Sequence, residues 1–193
     1  TVMTPHVLLV HSSLPARAVR ELIALAKARP GRLNYASSGS GSAFHLGMEL
    51  LKTVTGVSIA HVPFKGSALS VNAMLAGEVQ MMLIGLTTGM PLSKSGKARA
   101  LAVANPARSA LAPELPTIAE AGVPGFGYES WFGVAAPAGS SRAVVARLHE
   151  AFDRALRRPD VRDRLALQGY EVIASTPARM AAQIREDTKK WAK

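Results

Sequence analysis

Between residues 5 and 104 the chain repeats one pattern: a short apolar run, a glycine-marked loop, then apolar residues at helical spacing. Residues 5–11 are an apolar run of the buried-strand type, so near the start that their sheet partners must come from later in the chain. Ser12-Ser13-Leu14-Pro15 is a helix-entry signal. Val19, Leu22, Ile23 and Ala26 follow helical spacing until Arg29-Pro30-Gly31 stops it. A strand is predicted at 33–36 and a helix over 42–54 with Phe44, Met48 and Leu51 inward, ended by Gly56. Strand 57–62, loop 63–67, helix 68–76, strand 79–84, loop 85–89, short helix 91–97 and strand 98–104 follow. Strands alternating with helices at this spacing imply βαβ units around a mostly parallel sheet. Ligands of such sheets bind beyond the carboxyl ends of the strands, where the three strand-to-helix loops fall.

Residues 105–127 change character, being rich in Pro, Ala and Gly, and read as an irregular connection with one short helix within 111–120. A strand at 128–136 and a turn at 137–139 come next. From Ser141 the chain is mostly helical: Val145, Leu148, Phe152 and Ala155 form one face, and Pro159 opens a second helix ended by Gly169. A short strand is predicted at 171–173, and a last helix opens at Pro177 with Met180, Ile184 and Trp191 on one side.

The loop at 37–42 carries the clearest chemistry. Backbone N–H groups at a helix start, reinforced by the helix dipole, bind carboxylate or phosphate without Lys or Arg. Gly39 and Gly41 allow a tight turn and close approach, and Ser37, Ser38, Ser40 and Ser42 add hydroxyls. The competing reading is a serine-rich connection that only caps the next helix. His45, in the first turn, is either a donor to a bound anion or a partly exposed helix residue. Lys65 is a ligand or wall residue, or simply solvated. Trp131 and Phe132 line a cleft or belong to core.

Several chemistries are excluded or disfavoured. Phe44 stands where a dinucleotide fingerprint has its third glycine, and the Gly-Lys-Ser/Thr of a phosphate-binding P-loop is missing. The five histidines are dispersed, so no metal site is expected, and no cofactor. With no cysteine there are no disulfides, thiolate metal sites or cysteine nucleophiles. Acidic residues are sparse, and Glu49, Glu78, Glu114 and Glu120 fall at solvent-facing positions, so a general acid/base pair has no home. Binding is favoured over catalysis. The net charge of +10 comes from scattered basic residues, densest at Arg154, Arg157, Arg158, Arg162 and Arg164 without interleaved aromatics. That pattern favours a solvated basic surface over a nucleic-acid partner. No apolar run is long enough to span a membrane, and with Thr1 first and no signal peptide visible the chain reads as a processed or trimmed product.

One ordered set of motifs is family-specific. It runs Leu33-Asn34-Tyr35-Ala36-Ser37-Ser38-Gly39-Ser40-Gly41-Ser42, His45, Ile59-Ala60-His61-Val62-Pro63-Phe64-Lys65-Gly66 and Val79-Gln80-Met81-Met82. Gly96-Lys97-Ala98-Arg99-Ala100-Leu101-Ala102-Val103, Leu115-Pro116-Thr117-Ile118-Ala119-Glu120-Ala121-Gly122-Val123-Pro124-Gly125 and Trp131-Phe132-Gly133-Val134-Ala135-Ala136-Pro137 complete it. Over essentially its whole length the chain resembles the Bug family, periplasmic substrate-binding proteins of tripartite tricarboxylate transporters.

The resemblance implies an α/β, periplasmic-binding-protein-like fold of type II, with two lobes around a ligand cleft. It assigns 12–127 to one complete lobe, and 1–11 with 128–193 to crossing strands and the C-terminal part of the other lobe. The ligand residues it implies are Ser37, Ser38, Gly39, Ser40, Gly41, Ser42 and His45, with Lys65, Gly66, Ser67 and Thr87 at the rim and Trp131 on a crossing strand. It implies a periplasmic protein, no enzyme, that captures a small carboxylate for a membrane permease. The alternative is a truncated relative acting as a sensor or protein-interaction domain. An enzyme holding a phosphate on the loop is a third reading, disfavoured by the missing base. Two departures stand out. Family members carry a longer stretch before the position of Thr1, so an apolar face is expected to be uncovered and the chain to self-associate as a homo-oligomer. Ile84 stands where many members have an acidic residue, which points to a ligand without an amino group or to no ligand.

Overall fold

Residues 1–191 are described by a computed structural model. In chain order the elements are β1 (Val2–Thr4), β2 (His6–His11), α1 (Val19–Ala28), β3 (Asn34–Ser37), α2 (Ala43–Thr55), β4 (Ala60–Pro63), α3 (Ser67–Leu75), β5 (Met81–Gly85), α4 (Leu86–Lys94) and β6 (Ala98–Val103). After an irregular stretch come β7 (Ser130–Phe132), α5 (Arg142–Arg157), α6 (Pro159–Leu167), β8 (Glu171–Val172) and α7 (Pro177–Trp191). The chain divides into two units, Pro5–Ser130 and a smaller one made of residues 1–4 and the chain from Trp131 onward.

The larger unit is built on five strands in the order β4-β3-β5-β2-β6. β3 runs parallel to β4 and β5. β2 is antiparallel to both β5 and β6, pairing Leu8 with Leu83 and with Ala102. The sheet is therefore mostly parallel, as the alternating pattern requires, with one reversed strand inside it. Val7, Leu8, Leu9 and Val10 are all buried, because the strand feeds both cores. Leu8 and Val10 join Leu22, Met48 and Leu51 on one face, and Val7 and Leu9 join Met74, Ile84 and Leu86 on the other. A continuous apolar run is the mark of a strand covered on both sides. The lobe expected over 12–127 leaves this strand out, whereas the structure seats it at the sheet's interior and the unit begins at Pro5.

Three further expectations are corrected. The helix signal at Ser12–Pro15 does not start a helix, which begins at Val19. The Arg99 guanidinium instead holds the carbonyls of Ser12, Leu14 and Ala16, satisfying acceptors in a turn that a helix would have satisfied itself. Residues 85–89 are not a loop, since β5 passes straight into α4 at Gly85. The helix expected within 111–120 is absent. That segment instead runs along the β6 edge, where Val103 N–H donates to the Pro116 carbonyl and Ile118 N–H to the Val103 carbonyl. Covering an edge strand in this way removes a template for aggregation.

The smaller unit has three strands in the order β7-β1-β8, with Val2 opposite Val172. β7 is shorter than the expected 128–136. Ser141 caps α5 by accepting from Val144 N–H, and Pro159 stands in the first turn of α6. None of α5, α6 and α7 carries a fully buried residue. The apolar sides of α5 and α7 line an open groove of about 540 Å³ that includes Val145, Leu148, Phe152, Met180 and Ile184. Among the described residues no helix is long and apolar enough to cross a membrane.

Candidate functional site: a serine-glycine loop over a histidine pair

The loop from Ser38 to Ser42 leaves β3 and enters α2. Gly39 (φ 133°) and Gly41 (φ 77°) adopt backbone angles that L side chains avoid, so the turn needs glycine at both. Ser42 caps the helix, its Oγ accepting from His45 N–H at 3.3 Å. Helix geometry leaves the Ala43 and Phe44 N–H groups without an intrahelical acceptor. The neighbouring loop is tied to this one: Phe64 N–H donates to the Ser37 carbonyl and Gly66 N–H to the Ser38 carbonyl. The helix starts at Ala43, Ser67 and Leu86 thus follow the carboxyl ends of three adjacent parallel strands, β3, β4 and β5. Three helix N-termini at one sheet edge give a concentration of N–H donors and positive dipole ends suited to an anion.

Beneath the loop lies a cluster that the sequence reading did not assemble. Tyr35 on β3 is in register with His61 on β4, and their rings stack at 4.8 Å. His45 also packs against His61, ring centroids 4.2 Å apart, and its ring lies 6.4 Å from that of Tyr35. Gly41 N–H donates to His45 Nδ1 at 3.2 Å, which leaves the ring proton of a neutral imidazole on Nε2, 4.0 Å from Glu49 Oε1. Glu49 Oε1 also accepts from Tyr35 Oη at 2.5 Å and from Lys52 Nζ at 2.6 Å. Burial works against the Glu49 carboxylate, but the bonds from Lys52 and Tyr35 outweigh it and hold its pKa below the ordinary carboxyl value. Burial, then the Glu49 charge, pushes the Tyr35 phenol upward. Burial and the facing His45 lower His61. Glu49, expected at a solvent-facing position, is in fact the hub of this cluster. Its signal in the sequence is the spacing His45, Glu49, Lys52, which puts all three on one helix face.

Ser37 and His61 resemble a nucleophile and its base, with Oγ 2.7 Å from Nε2. Ser37 is fully buried, however, and the same Oγ also contacts the Gly39 carbonyl and accepts the Gly39 N–H. The hydroxyl is spent inside the loop, so it shapes the turn rather than attacking a substrate.

Of the expected residues, Ser38, Gly39, Ser40, Gly41 and Ser42 form the loop itself, and Lys65, Gly66 and Ser67 the adjoining one. Thr87 lies in the first turn of α4 at the same sheet edge, exposed. Ser37 and His45 are nearby but hold the loop from below. Trp131 belongs to the smaller unit, where its indole N–H donates to Asp187 Oδ2 at 2.7 Å. Ile84 is fully enclosed in the second core cluster. Among the described residues no group of three His, Cys, Asp or Glu is placed to hold a metal.

The profile of the tripartite tricarboxylate transporter family receptor, TctC, matches residues 1–193. The chain belongs to this family. A protein from the tcbD–tcbE intergenic region of Pseudomonas sp. (strain P51) is 37% identical over 98% of the chain and 56% of its own length. Protein BugT of Bordetella pertussis is 34% identical over 97% of the chain and 58% of its own. Among solved structures, an R. palustris protein with adipate superposes with a TM-score of 0.88 at 37% identity, covering 99% of this chain and 64% of that one. MatC from Rhodopseudomonas palustris with bound malate gives 0.86 at 31% identity, over 98% and 66%. The TctC chain described here therefore spans a little over half the length of the curated relatives it matches. Its fold is the α/β, periplasmic-binding-protein-like one that the motifs implied.

Proposed function

We propose that this TctC chain captures a small carboxylate in the periplasm for a membrane permease of the tripartite type. The observation that carries the reading is the glycine-serine loop with three helix N-termini at one sheet edge, in a chain similar to proteins solved with adipate and with malate. The carboxylate is held by the Ala43 and Phe44 N–H groups at the helix start and by the Ser38, Ser40 and Ser42 hydroxyls, with Lys65, Gly66, Ser67 and Thr87 at the rim. The site has no carboxylate of its own for a ligand amine, because Glu49 is engaged by Lys52 and Tyr35 and Ile84 is apolar and enclosed. Dicarboxylates are therefore expected over amino acids.

Calorimetric titration with adipate, malate and aspartate tests this. Saturable binding of a dicarboxylate, weakened roughly three- to tenfold in Ser38→Ala and in Ser40→Ala, is the expected result, the size of one hydrogen bond each. Aspartate as the tightest ligand contradicts the selectivity. Absence of binding to all three overturns the capture role and leaves the sensor or protein-interaction reading.

A further inference from the structure

The loop's hold on Gly41 depends on a charge state. A neutral His45 accepts the Gly41 N–H through a bare Nδ1. A protonated imidazole has hydrogens on both nitrogens and accepts nothing. Around the two imidazoles stand Glu49 and Lys52 from α2, Tyr35 from β3 and, between the rings themselves, a separation of only 4.2 Å. A charge on one ring opposes a charge on the other, while Glu49, 4.0 Å from His45 Nε2, attracts one. The cluster is thus arranged to take up one proton, not two.

We infer that His45 is a positioning residue whose bare Nδ1 sets the shape of the anion loop through Gly41, and that proton uptake at His45, assisted by Glu49, releases the loop and weakens carboxylate binding. His45 then does not contact the ligand. It decides whether the Gly39–Ser42 turn keeps the arrangement in which it leads into the α2 N-terminus.

Amide and imidazole ¹⁵N spectra of the ligand-free chain, recorded from pH 8 to pH 5, test the loop directly. Expected at pH 8 is the Nε2–H tautomer of His45, with the Gly41 amide signal then moving at the same midpoint as the His45 ring. In His45→Asn, whose side-chain oxygen still accepts but does not titrate, Gly41 stays in place. In Glu49→Gln the transition moves to lower pH. Unchanged amide signals from β2 establish that each variant is folded. A Gly41 signal that ignores pH in the parent, or that moves equally in His45→Asn, overturns the inference. A second arm rests on the carboxylate reading. Succinate affinity of the parent falls roughly three- to tenfold between pH 8 and pH 6, the worth of one lost hydrogen bond, and His45→Asn loses that dependence. Equal falls in both chains also overturn it. A titrating Gly41 with no succinate binding at either pH instead sinks the carboxylate reading and leaves the switch standing.

Discussion

His61 packs against the Tyr35 and His45 rings and has its Nε2 on a buried hydroxyl, an environment that favours the neutral imidazole. Its folded pKa is lowered, chiefly by burial and then by His45. The unfolded chain therefore binds this proton first, and stability rises with pH between the folded value and the ordinary one near 6.5. Glu49 acts in a lower window: burial opposes its charge, Lys52 and Tyr35 more than compensate, and its contribution is present above the unfolded value and lost as pH falls through the folded one. Urea denaturation is expected to give lower midpoints at pH 5.5 than at pH 7.5, with a further drop below pH 4. His61→Asn removes most of the upper step and Glu49→Gln most of the lower. An upper step that survives His61→Asn unchanged assigns it elsewhere. The same cluster shows contacts that residues read one at a time do not reveal. Ser37 and His45 are polar and loop-proximal in the sequence, and only the strand register and helix phase bring both against His61.

α4 is where sequence and structure part most plainly. Gly85, Thr87, Thr88, Gly89 and Pro91 together have the composition of a loop, yet residues 86–94 are helical. Gly89 is helical because α4 presses onto the sheet: a Cβ there would overlap Val7 Cγ1 and lie 3.1 Å from Ile84 Cγ2, both in the core. Gly47 plays the same part in α2, against Leu83 and Tyr128. Composition rules take glycine as a breaker, whereas here it permits close helix–sheet approach. Gly89→Ala sets two effects against each other, about 1 kcal/mol gained in helix propensity and about 1–3 kcal/mol lost to overpacking. Val7 and Ile84 are buried in the core, so overpacking wins and a net loss of up to about 2 kcal/mol is expected in urea melts. A stabilised variant rules out the tight approach. Ser42→Ala, removing the α2 cap, costs about 1 kcal/mol by the same assay.

At the scale of the molecule, the two units differ in how they are stabilised. The five-stranded unit buries residues on both sheet faces, while the helices of the smaller unit bury none fully. Leu148 and Phe152, both 45% exposed, stand in one row on α5 at i, i+4. An exposed apolar row of this kind favours association. Light scattering is expected to show a mass that rises with concentration, and Leu148→Ser with Phe152→Ser to suppress the rise. A concentration-independent monomer counts against self-association. The surplus of positive charge slows such association at low salt, so the effect is larger at high salt.

Local periodicity determined most of what is regular here. The run at 5–11, the stripe of Met48 and Leu51, and the glycine stops each follow from spacing, because strands and helices have fixed repeats. The same logic singled out residues 37–42 as a candidate anion loop, since a helix start leaves N–H groups without intrahelical acceptors. Tertiary structure alone decided the reversal of β2, the helix at 86–94, the bond from Tyr35 to Glu49 and the pairing of His45 with His61. Each depends on which elements lie side by side, and contacts between residues far apart in the chain leave no periodic trace in it.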